Sequence, residues 1–356
     1  MKLFIVLLSI AASSFVFPAQ LETRQVVELR GTWKFEVGDN ENYASAKFND
    51  SKWENIFVPS SWEDEGFPGY NGYAWYRKNF TIPSSDRGKN LYFHGGYIDD
   101  VCRIYINGHL IGGRGLFPPS FETAFNQEEI LRIPDEYLNF DGDNVVAIRV
   151  YDDYQYGGII RGKVGIYIHP DQWDVTVQLP TLWKFKIGDD AEWSSPTFDD
   201  SQWEKLIVPN AWDYQGYQQY DGFGWYRVSF TIPSSMKSEK LFIVLGKIDD
   251  VDETFLNGTE IGSTGRMSGF NWKKRINNEY QDMRLYRLPS DKIRYGQKNV
   301  IAVRVYDHWR YGGIYEGPIG IITEREYREM RRHYDNNGRN TKNDFERLID
   351  KIFNND

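Results

Sequence analysis

Side chains capable of covalent chemistry occur in this 356-residue chain without the spacing that a familiar catalytic site requires. The sequence contains no G-x-S-x-G nucleophile motif, no H-E-x-x-H zinc motif and no phosphate-binding loop. Its five histidines are isolated; only His308 has an acidic neighbour, Asp307, and we interpret it as a neutral loop histidine. The single cysteine, Cys102, lies in an apolar-alternating stretch and is predicted to be a buried structural thiol. The abundant carboxylates leave open a two-acid glycosidase site.

Aromatic and acidic residues set the kind of ligand that the composition favours. Aromatic side chains make up 16% of the sequence, with 12 Trp and 24 Tyr. Such rings fill protein cores, and their flat faces also stack on the weakly positive C–H groups of sugar rings. The formal net charge is −9, and no basic run is present, so the chain would repel a phosphate backbone. The composition therefore favours a carbohydrate partner and argues against nucleic acid.

The elements that must position these residues occur twice. Trp33 and Trp53 return 150 positions later as Trp183 and Trp203, and the surrounding motifs return in the same order. A period of about 150 residues matches the size of an independent domain and exceeds the 20–50 residues of solenoid repeats. The sequence therefore predicts two copies of one domain, at residues 28–170 and 178–323, whose short connection brings them into contact.

Each copy has the signature of antiparallel β-structure. Short segments rich in β-branched and aromatic residues alternate with turn residues, and sustained helical periodicity is missing. Asn107-Gly108 and Asn257-Gly258 stand between apolar alternations, which is the strongest short signal for a hairpin. We therefore predict an all-β fold, with two tandem β-sandwiches of the jelly-roll kind.

The two ends of the chain differ from the repeats. Residues 1–20 are typical of a signal peptide, because the apolar run is too short to span a bilayer. We therefore expect an exported protein, periplasmic, cell-surface or extracellular, without a membrane span in the mature chain. Residues 324–356 predict a helical tail in which Tyr327, Met330 and Tyr334 share one face and Phe345–Phe353 form a second apolar stripe. This tail either packs on the second domain or docks a partner.

Several motifs recur in both copies, among them F-[ND]-D-S-x-W-x-x-x-x-V-P-x-x-W, W-Y-R-x-x-F-x-I-P, N-G-x-x-I-G and N-V-[VI]-A-[IV]-R-V-Y-D. Together they resemble the galactose-binding-like, sugar-binding jelly-roll domain that opens family 2 glycoside hydrolases. That family includes β-galactosidases, β-glucuronidases and β-mannosidases, and related domains accompany sialate O-acetylesterases. The resemblance covers both copies and thus nearly all of the chain between the leader and the tail.

The resemblance also implies where a sugar would bind. In those hydrolases, the loop after V-P-x-x-W and the loop after the V-R-V strand approach the sugar. Asp and Asn side chains would bond hydroxyl groups, aromatic rings would stack, and Gly157-Gly158 and Gly312-Gly313 would let the ligand approach the backbone. The ligand-binding residues expected on this basis are Trp62, Tyr70, Asn71, Asp152, Tyr154 and Tyr156 in the first copy, and Trp212, Tyr220, Asp221, Asp307, Trp309 and Tyr311 in the second.

Other repeated residues have a structural interpretation. We expect the Asp50 and Asp200 side chains to bond nearby amides in a turn, and Trp53 and Trp203 to fill the core. Arg77 and Arg227 are expected to form ion pairs with carboxylates such as Asp100 and Asp250. The acidic turns at residues 39–41 and 189–190 are a conceivable structural calcium site, but they lack a spaced ligand pattern. No cofactor is therefore expected.

The resemblance does not extend to catalysis. In the resembled hydrolases, the catalytic acids lie on a separate (β/α)₈ barrel of about 250 residues. Residues 324–356 cannot contain such a barrel. We therefore expect an exported, non-catalytic carbohydrate-binding protein. Two alternatives remain open: a structural module that docks a glycoside hydrolase partner, and a glycoside hydrolase with carboxylates between the two domains.

Overall fold

The computed structural model describes residues 23–170, 173, 175–268 and 271–337. In these residues the chain forms two β-sandwiches followed by one α-helix, as the sequence predicted. The expected signal peptide and the Phe345–Phe353 stripe lie outside the described residues. The strands of the first sandwich are β1 Arg24–Glu28, β2 Gly31–Val37, β3 Glu54–Val58, β4 Gly72–Thr81, β5 Leu91–Asp99, β6 Val101–Ile106, β7 His109–Gly112, β8 Glu128–Arg132, β9 Asp143–Asp152 and β10 Gly158–Ile168.

The second sandwich repeats this series and ends in the helix. Its elements are β11 Val177–Gln178, β12 Leu182–Ile187, β13 Glu204–Ile207, β14 Gly222–Thr231, β15 Leu241–Asp249, β16 Val251–Leu256, β17 Thr259–Thr264, β18 Met283–Leu288, β19 Lys298–Asp307, β20 Gly313–Thr323 and α1 Glu324–Asn337. Short 3₁₀ helices occupy Glu41–Ala44, Ser84–Asp86, Asp135–Tyr137, Ala191–Ser194, Trp212–Gln215, Ser234–Met236, Trp272–Arg275 and Glu279–Gln281.

The two sandwiches share one topology. The first pairs a six-stranded sheet, in the order β3-β2-β4-β9-β6-β7, with a four-stranded sheet, in the order β1-β10-β5-β8. The second has the orders β13-β12-β14-β19-β16-β17 and β11-β20-β15-β18, which are the same orders ten strands later. Both predicted hairpins are present between paired strands: Asn107 and Gly108 have φ of 52° and 86°, and Asn257 and Gly258 have 50° and 86°. Positive φ at both central residues is what a type I′ hairpin turn requires.

A second, smaller apolar layer covers the outer face of each six-stranded sheet. Trp53 packs there with Tyr43, Phe48 and Trp75, rather than between the two sheets. Tyr76 points into the main core, so the next residue, Arg77, points outward into this layer. Its Nε lies 2.8 Å from Asp50 Oδ2.

The predicted partner of the motif arginines is therefore wrong in both copies. Arg227 likewise pairs with Asp200 at 2.8 Å, and not with Asp250. The turn expected of Asp50 is made by its neighbour instead, since the Asn49 side chain accepts the amide of Ser51 at 3.1 Å. The cause is the strand alternation, which places the guanidinium on the face that residues 41–53 cover.

The helix α1 packs on the second domain. Tyr327 and Met330 are buried against Phe242, Val244 and Leu285 on the outer face of the four-stranded sheet. The described part of the tail therefore takes the first of the two predicted roles. None of the helices within the described ranges is long and apolar enough to cross a membrane.

The two domains contact each other, as the short connection predicted. Ile207 of β13 belongs to the apolar core of the first domain. Asn210 Nδ2 lies 3.4 Å from the carbonyl oxygen of Ile111, and the Arg114 guanidinium lies 5.4 Å from the centre of the Tyr214 ring. Cys102 is buried, as predicted.

Candidate ligand-binding site

Strand pairing brings the two predicted loops of each domain together. Gly72 at the start of β4 lies opposite Asp152 at the end of β9, and Gly222 lies opposite Asp307 in the same way. The loop after β3 therefore meets the loop after β9 at one end of the six-stranded sheet. The sequence separates these residues by 80 positions or more, so only the sheet register makes them neighbours.

The two tryptophans expected in the first loop are buried beneath these loops. Trp62 and Trp212 have no exposed surface. A Cβ atom added to Gly157 would lie 2.2 Å from the Trp62 ring, and one added to Gly312 would lie 2.2 Å from the Trp212 ring. The glycine pairs thus accommodate tryptophan rings from below, rather than a ligand from above. This burial differs from the stacking role that the sequence suggested for the two rings.

The tyrosines of the first loop brace it. The Tyr70 hydroxyl donates to the carbonyl oxygen of Tyr73 at 2.7 Å, and the Tyr220 hydroxyl donates to that of Phe223 at 2.9 Å. Both rings also meet the edge or face of the buried tryptophan in their own loop. They are half-buried, and their hydroxyl protons are already engaged, so they support the loop. Asn71 and Asp221, which follow them, are exposed.

The aromatic residues of the second loop are exposed, and in the second domain the Arg310 guanidinium lies 4.3 Å from the centre of the Trp309 ring, while the Tyr214 ring lies 5.2 Å from that of Tyr311. Tyr154 and Tyr156 are 72% and 59% exposed in the first domain, and Trp309 and Tyr311 are 66% and 39% exposed in the second. Exposure of this degree is unusual for large rings, and it occurs at two pairs of corresponding positions, so part of each ring is available for stacking.

Asp152 and Asp307 are buried at the base of the second loop. Asp307 Oδ1 accepts the Trp309 amide at 3.1 Å, whereas its Oδ2 has no hydrogen-bond partner among the described residues. Asp152 Oδ1 also lacks a partner there. Burial raises the pKa of Asp152 to about 7 and that of Asp307 to about 8, and neighbouring carboxyl groups add to both shifts.

Two further aspartates join each of these groups, and sequence reasoning did not assign them to the site. Asp99 and Asp100 lie beside Asp152, and Asp249 and Asp250 lie beside Asp307. Burial and the adjacent carboxyl raise the pKa of Asp99 to about 8 and that of Asp249 to about 9. The available signal was the sequence Ile-Asp-Asp-Val at 98–101 and 248–251, whose second aspartates, Asp100 and Asp250, were predicted to pair with the motif arginines.

A pocket of about 360 Å³ lies beside the second-domain loops. The first domain contributes the segment around Leu116 and Glu122 to its wall. Asp221, Trp309 and Tyr311, all expected from the sequence, line the same pocket. The structure therefore places three of the expected residues in one cavity between the two domains.

Asp213 is a further pocket residue that the sequence analysis missed. Its carboxyl oxygens accept the amides of Gln219 and Gly312 at 3.0 and 2.9 Å, so it ties the two loops together. Burial raises its pKa to about 6. Glu63 occupies the corresponding place in the first domain and accepts the Gly157 amide at 3.1 Å. Its recurrence as an acidic residue directly after the loop tryptophan was the available signal.

The acidic turns considered for calcium are neutralised by arginine. Arg149 Nε lies 2.7 Å from Asp39 Oδ1, and Arg304 Nε lies 2.7 Å from Asp189 Oδ1. A tryptophan indole also donates to each of these aspartates. Both carboxylates therefore have protein partners already.

The fold and these loops define a class of protein: tandem galactose-binding-like jelly rolls of the kind found in family 2 glycoside hydrolases. Comparison with known families then identifies the family itself. The one described as the β-galactosidase second all-beta domain matches residues 38–155 and again residues 188–309. The chain therefore belongs to this family, and both sandwiches are copies of its domain.

Curated relatives match smaller parts of the chain. The β-galactosidase BoGH2A of Bacteroides ovatus is 29% identical over 173 residues, which are 44% of this chain and 18% of that protein. A β-glucuronidase of Formosa agariphila is 26% identical over 136 residues, which are 34% of this chain and 13% of that protein. The chain thus spans less than a fifth of the length of these relatives.

Solved structures show a similar pattern. The crystal structure of Bacteroides uniformis β-glucuronidase aligns with 79% of this chain and 27% of its own, at 17% identity and a TM-score of 0.35. A β-glycosidase of Bacteroides vulgatus aligns with 68% of this chain and 27% of its own, at 20% identity and a TM-score of 0.33.

Proposed function

We propose that this protein is a non-catalytic carbohydrate-binding protein whose main site is the pocket between its two domains. The observation that carries the proposal is the exposed Trp309 ring beside the carboxylates of Asp221 and Asp213 in that pocket. A flat aromatic face next to hydrogen-bond acceptors suits the two surfaces of a sugar ring, its C–H face and its hydroxyl rim. The names of the relatives, β-galactosidase and β-glucuronidase, support a glycan as the ligand class.

Binding at this site would combine stacking with a few hydrogen bonds. Trp309 and Tyr311 would cover the apolar face of a sugar, while Asp221 and Glu122 would accept hydrogen bonds from its hydroxyl groups. Each such hydrogen bond contributes only about 0.5–1.5 kcal/mol net, so the affinity of a single site is expected to be low. The exposed rings of Tyr154 and Tyr156 form a second, open surface on the same chain, and joint use of both would raise the avidity for a polymer.

A glycan array probed with the purified chain tests this proposal. We expect binding to a defined class of glycans, and we expect the Trp309→Ala variant to lose at least about ten-fold in affinity, as removal of a central aromatic contact commonly does. The ring is 66% exposed, so this substitution leaves the core intact. Tyr154→Ala, at the corresponding position of the first domain, is the matched control and should retain pocket binding. Silence across the array, or full binding by Trp309→Ala, would contradict the proposal.

Hydrolysis is the second candidate, because Asp307 and Asp213 are carboxyl groups with raised pKa near one pocket. If the chain acts as an enzyme, its relatives indicate a glycoside hydrolase. Release of nitrophenol from nitrophenyl glycosides, abolished by Asp307→Asn, would replace the binding role with a catalytic one. An array signal without such release would support binding alone.

We further propose that the protein is exported, on the basis of the apolar leader at residues 1–20. Cell fractionation followed by N-terminal sequencing tests this. A mature protein that begins near residue 20 in the exported fraction is expected, and an unprocessed chain in the cytoplasm would contradict it.

A further inference from the structure

Three aspartates converge at the same place in each domain. We call these groups the aspartate clusters: Asp99, Asp100 and Asp152 in the first domain, and Asp249, Asp250 and Asp307 in the second. In each cluster the three side chains offer one oxygen atom apiece, and these atoms all lie within 4.8 Å of one another. In the first domain, Asp99 ends β5 of the four-stranded sheet and Asp152 ends β9 of the six-stranded sheet. Asp249 and Asp307 end β15 and β19 of the second domain in the same way, so the fold itself brings each cluster together.

Each cluster contains a buried oxygen atom that receives no hydrogen bond from the described residues. The Asp307 side chain has no exposed surface, its Oδ1 accepts the Trp309 amide, and its Oδ2 has no partner within the described part of the chain. Asp152 is equally buried, and its Oδ1 lacks a partner as well. Because a buried carboxylate oxygen without a partner is unfavourable, this arrangement is incomplete without a further group.

The surrounding amides hold the carboxyls in place from outside. The His308 amide donates to Asp250 Oδ2 at 2.9 Å, and the Asp153 amide donates to Asp100 Oδ2 at 3.2 Å. In the first domain, the buried Glu63 Oε1 is a further oxygen without a hydrogen-bond partner among the residues that the structure describes. The loops thus orient the acidic groups without neutralising them.

Arginine or lysine neutralises several other partly or fully buried aspartates in this molecule, whereas the buried Asp213 is bonded by two backbone amides. Asp252 pairs with Arg284, Asp86 pairs with Lys89, and Asp50, Asp39 and Asp189 each pair with an arginine. No ion pair with a basic side chain forms at any of the six cluster aspartates within the described ranges. Both copies retain the three aspartates without a basic partner, although other corresponding positions, such as Cys102 and Asp252, differ between the copies.

We propose that each aspartate cluster binds one calcium ion. Calcium takes oxygen ligands at 2.3–2.6 Å, so two ligands on opposite sides of the ion stand about 4.6–5.2 Å apart. The cluster oxygens, which lie within 4.8 Å of one another, fall inside that span. Carboxylates and well-placed loop carbonyls are also the ligands that calcium prefers over nitrogen or sulfur donors.

The alternative to a cation is a shared proton. Two or more carboxyls at this distance relieve their repulsion either by holding a proton or by binding a positive ion. The two cases differ in what they predict for added calcium, because a cluster that only shares protons takes up no metal. This inference is independent of glycan binding, so its test contains no sugar.

Isothermal titration of the chelator-stripped full chain with calcium chloride, near neutral pH, tests the proposal. We expect two ions per chain in the wild type, one in Asp152→Asn, one in Asp307→Asn and none in the double variant. Bound calcium should also raise the unfolding temperature of the wild type and leave that of the double variant unchanged. Asparagine keeps the shape of aspartate and removes the repulsion, so we expect the metal-free variants to fold.

Asp190→Asn is the matched control, because the first domain already has Asn40 at that position with the same capping contact. It should keep both ions, and loss of an ion in this variant would overturn the assignment by placing calcium in the acidic turn. Two ions bound by the double variant would overturn it too. A wild type that shows neither heat nor a thermal shift up to about 10 mM calcium, well above the weakest extracellular calcium sites, would overturn the proposal whatever the variants do.

Discussion

The two domains share a topology and a set of loops but differ in what stands next to those loops. In the second domain, Trp309 and Tyr311 line a pocket whose far wall is the segment around Glu122 of the first domain. In the first domain, the corresponding Tyr154 and Tyr156 remain more than half exposed. A duplicated fold has therefore acquired two different surfaces, and the second loop itself has changed from DDYQY at 152–156 to DHWRY at 307–311. The order of the copies places a segment of the first domain beside the second-domain loops, although Trp309 is still 66% exposed.

The domains also differ in how they balance a buried charge at one position of the four-stranded sheet. Gly246 pairs with Arg284 in the second domain, and Gly96 pairs with Glu129 at the same place in the first. Arg284 meets Asp252 at 2.8 Å, and both side chains are fully buried. Glu129 instead depends on Arg114, at 3.5 Å. The buried charge of the second domain is thus neutralised by a residue of the same buried pair. That of the first domain faces Arg114, whose guanidinium also lies over the Tyr214 ring of the second domain.

The largest expected effect is the loss of the internal pair. In Arg284→Met, Asp252 would stay buried with its hydroxyl donors Thr254 and Tyr286 but without a positive charge. Removal of one partner of a buried ion pair destabilises a protein by about 3–5 kcal/mol. We expect a decrease of this size in the free energy of unfolding of the second domain, measured by urea denaturation.

The first domain supplies the control for that experiment. Asp252→Cys combined with Arg284→Met removes both charges and brings the position close to the apolar character that Cys102 has in the first copy. It should recover most of the lost stability, because an apolar pair can replace a buried ion pair. If the double variant is as unstable as Arg284→Met, the charge is not the cause and the comparison between the domains fails.

The next effect concerns pH and the first domain alone. Burial raises the pKa of Glu129 from 4.5 to about 7, opposed by the charges of Arg114 and Arg103 and by a hydrogen bond with Cys102. The folded chain therefore keeps this proton between about pH 4.5 and 7 while the unfolded chain releases it. The contribution of Glu129 to the free energy of unfolding is therefore fully present below pH 4.5. It decreases by up to about 3 kcal/mol as the pH rises to about 7.

Glu129→Gln should remove that decrease. Urea denaturation of both proteins across this pH range measures it as the difference between two curves, so other titrating groups cancel. The curves should converge at acidic pH and separate towards neutral pH, with the variant more stable there. Parallel curves would show that Arg114 holds Glu129 ionised throughout, and would make the two domains alike in this respect.

Much of the fold follows from local sequence, and the exceptions have identifiable causes. The Asn-Gly turns and the alternation of apolar residues specify hairpins by themselves, so the two sandwiches could be predicted. The partner of Arg77 could not, because Asp50 and Asp100 are both acidic and near, and the choice depends on which face of β4 the arginine occupies. Only the packed sheet shows that Tyr76 points inward and Arg77 outward.

The site was predictable only in part, for a related reason. The loops after β3 and β9 were expected together, and the sheet register brings them together. The burial of Trp62 was not evident, because a tryptophan that supports a loop and one that faces a ligand have the same sequence signal. Asp99 joined Asp152 only in the folded chain, since the strands that end there lie in different sheets. Convergence of strand ends is a property of topology, which spacing along the chain does not report.

The smallest expected effect asks whether the enclosure of the pocket matters. Glu122 belongs to the first domain yet lines the pocket of the second, so Glu122→Ala should weaken glycan binding without touching the second-domain loops. Loss of one hydrogen bond, about 0.5–1.5 kcal/mol, corresponds to a decrease of about 2- to 12-fold in affinity. Titration with the glycan that the array identifies measures it, and Glu136→Ala, an exposed first-domain residue outside the pocket, is the control. Equal affinity in Glu122→Ala and the wild type would mean that the second domain binds alone, and that its contact with the first domain does not contribute to recognition.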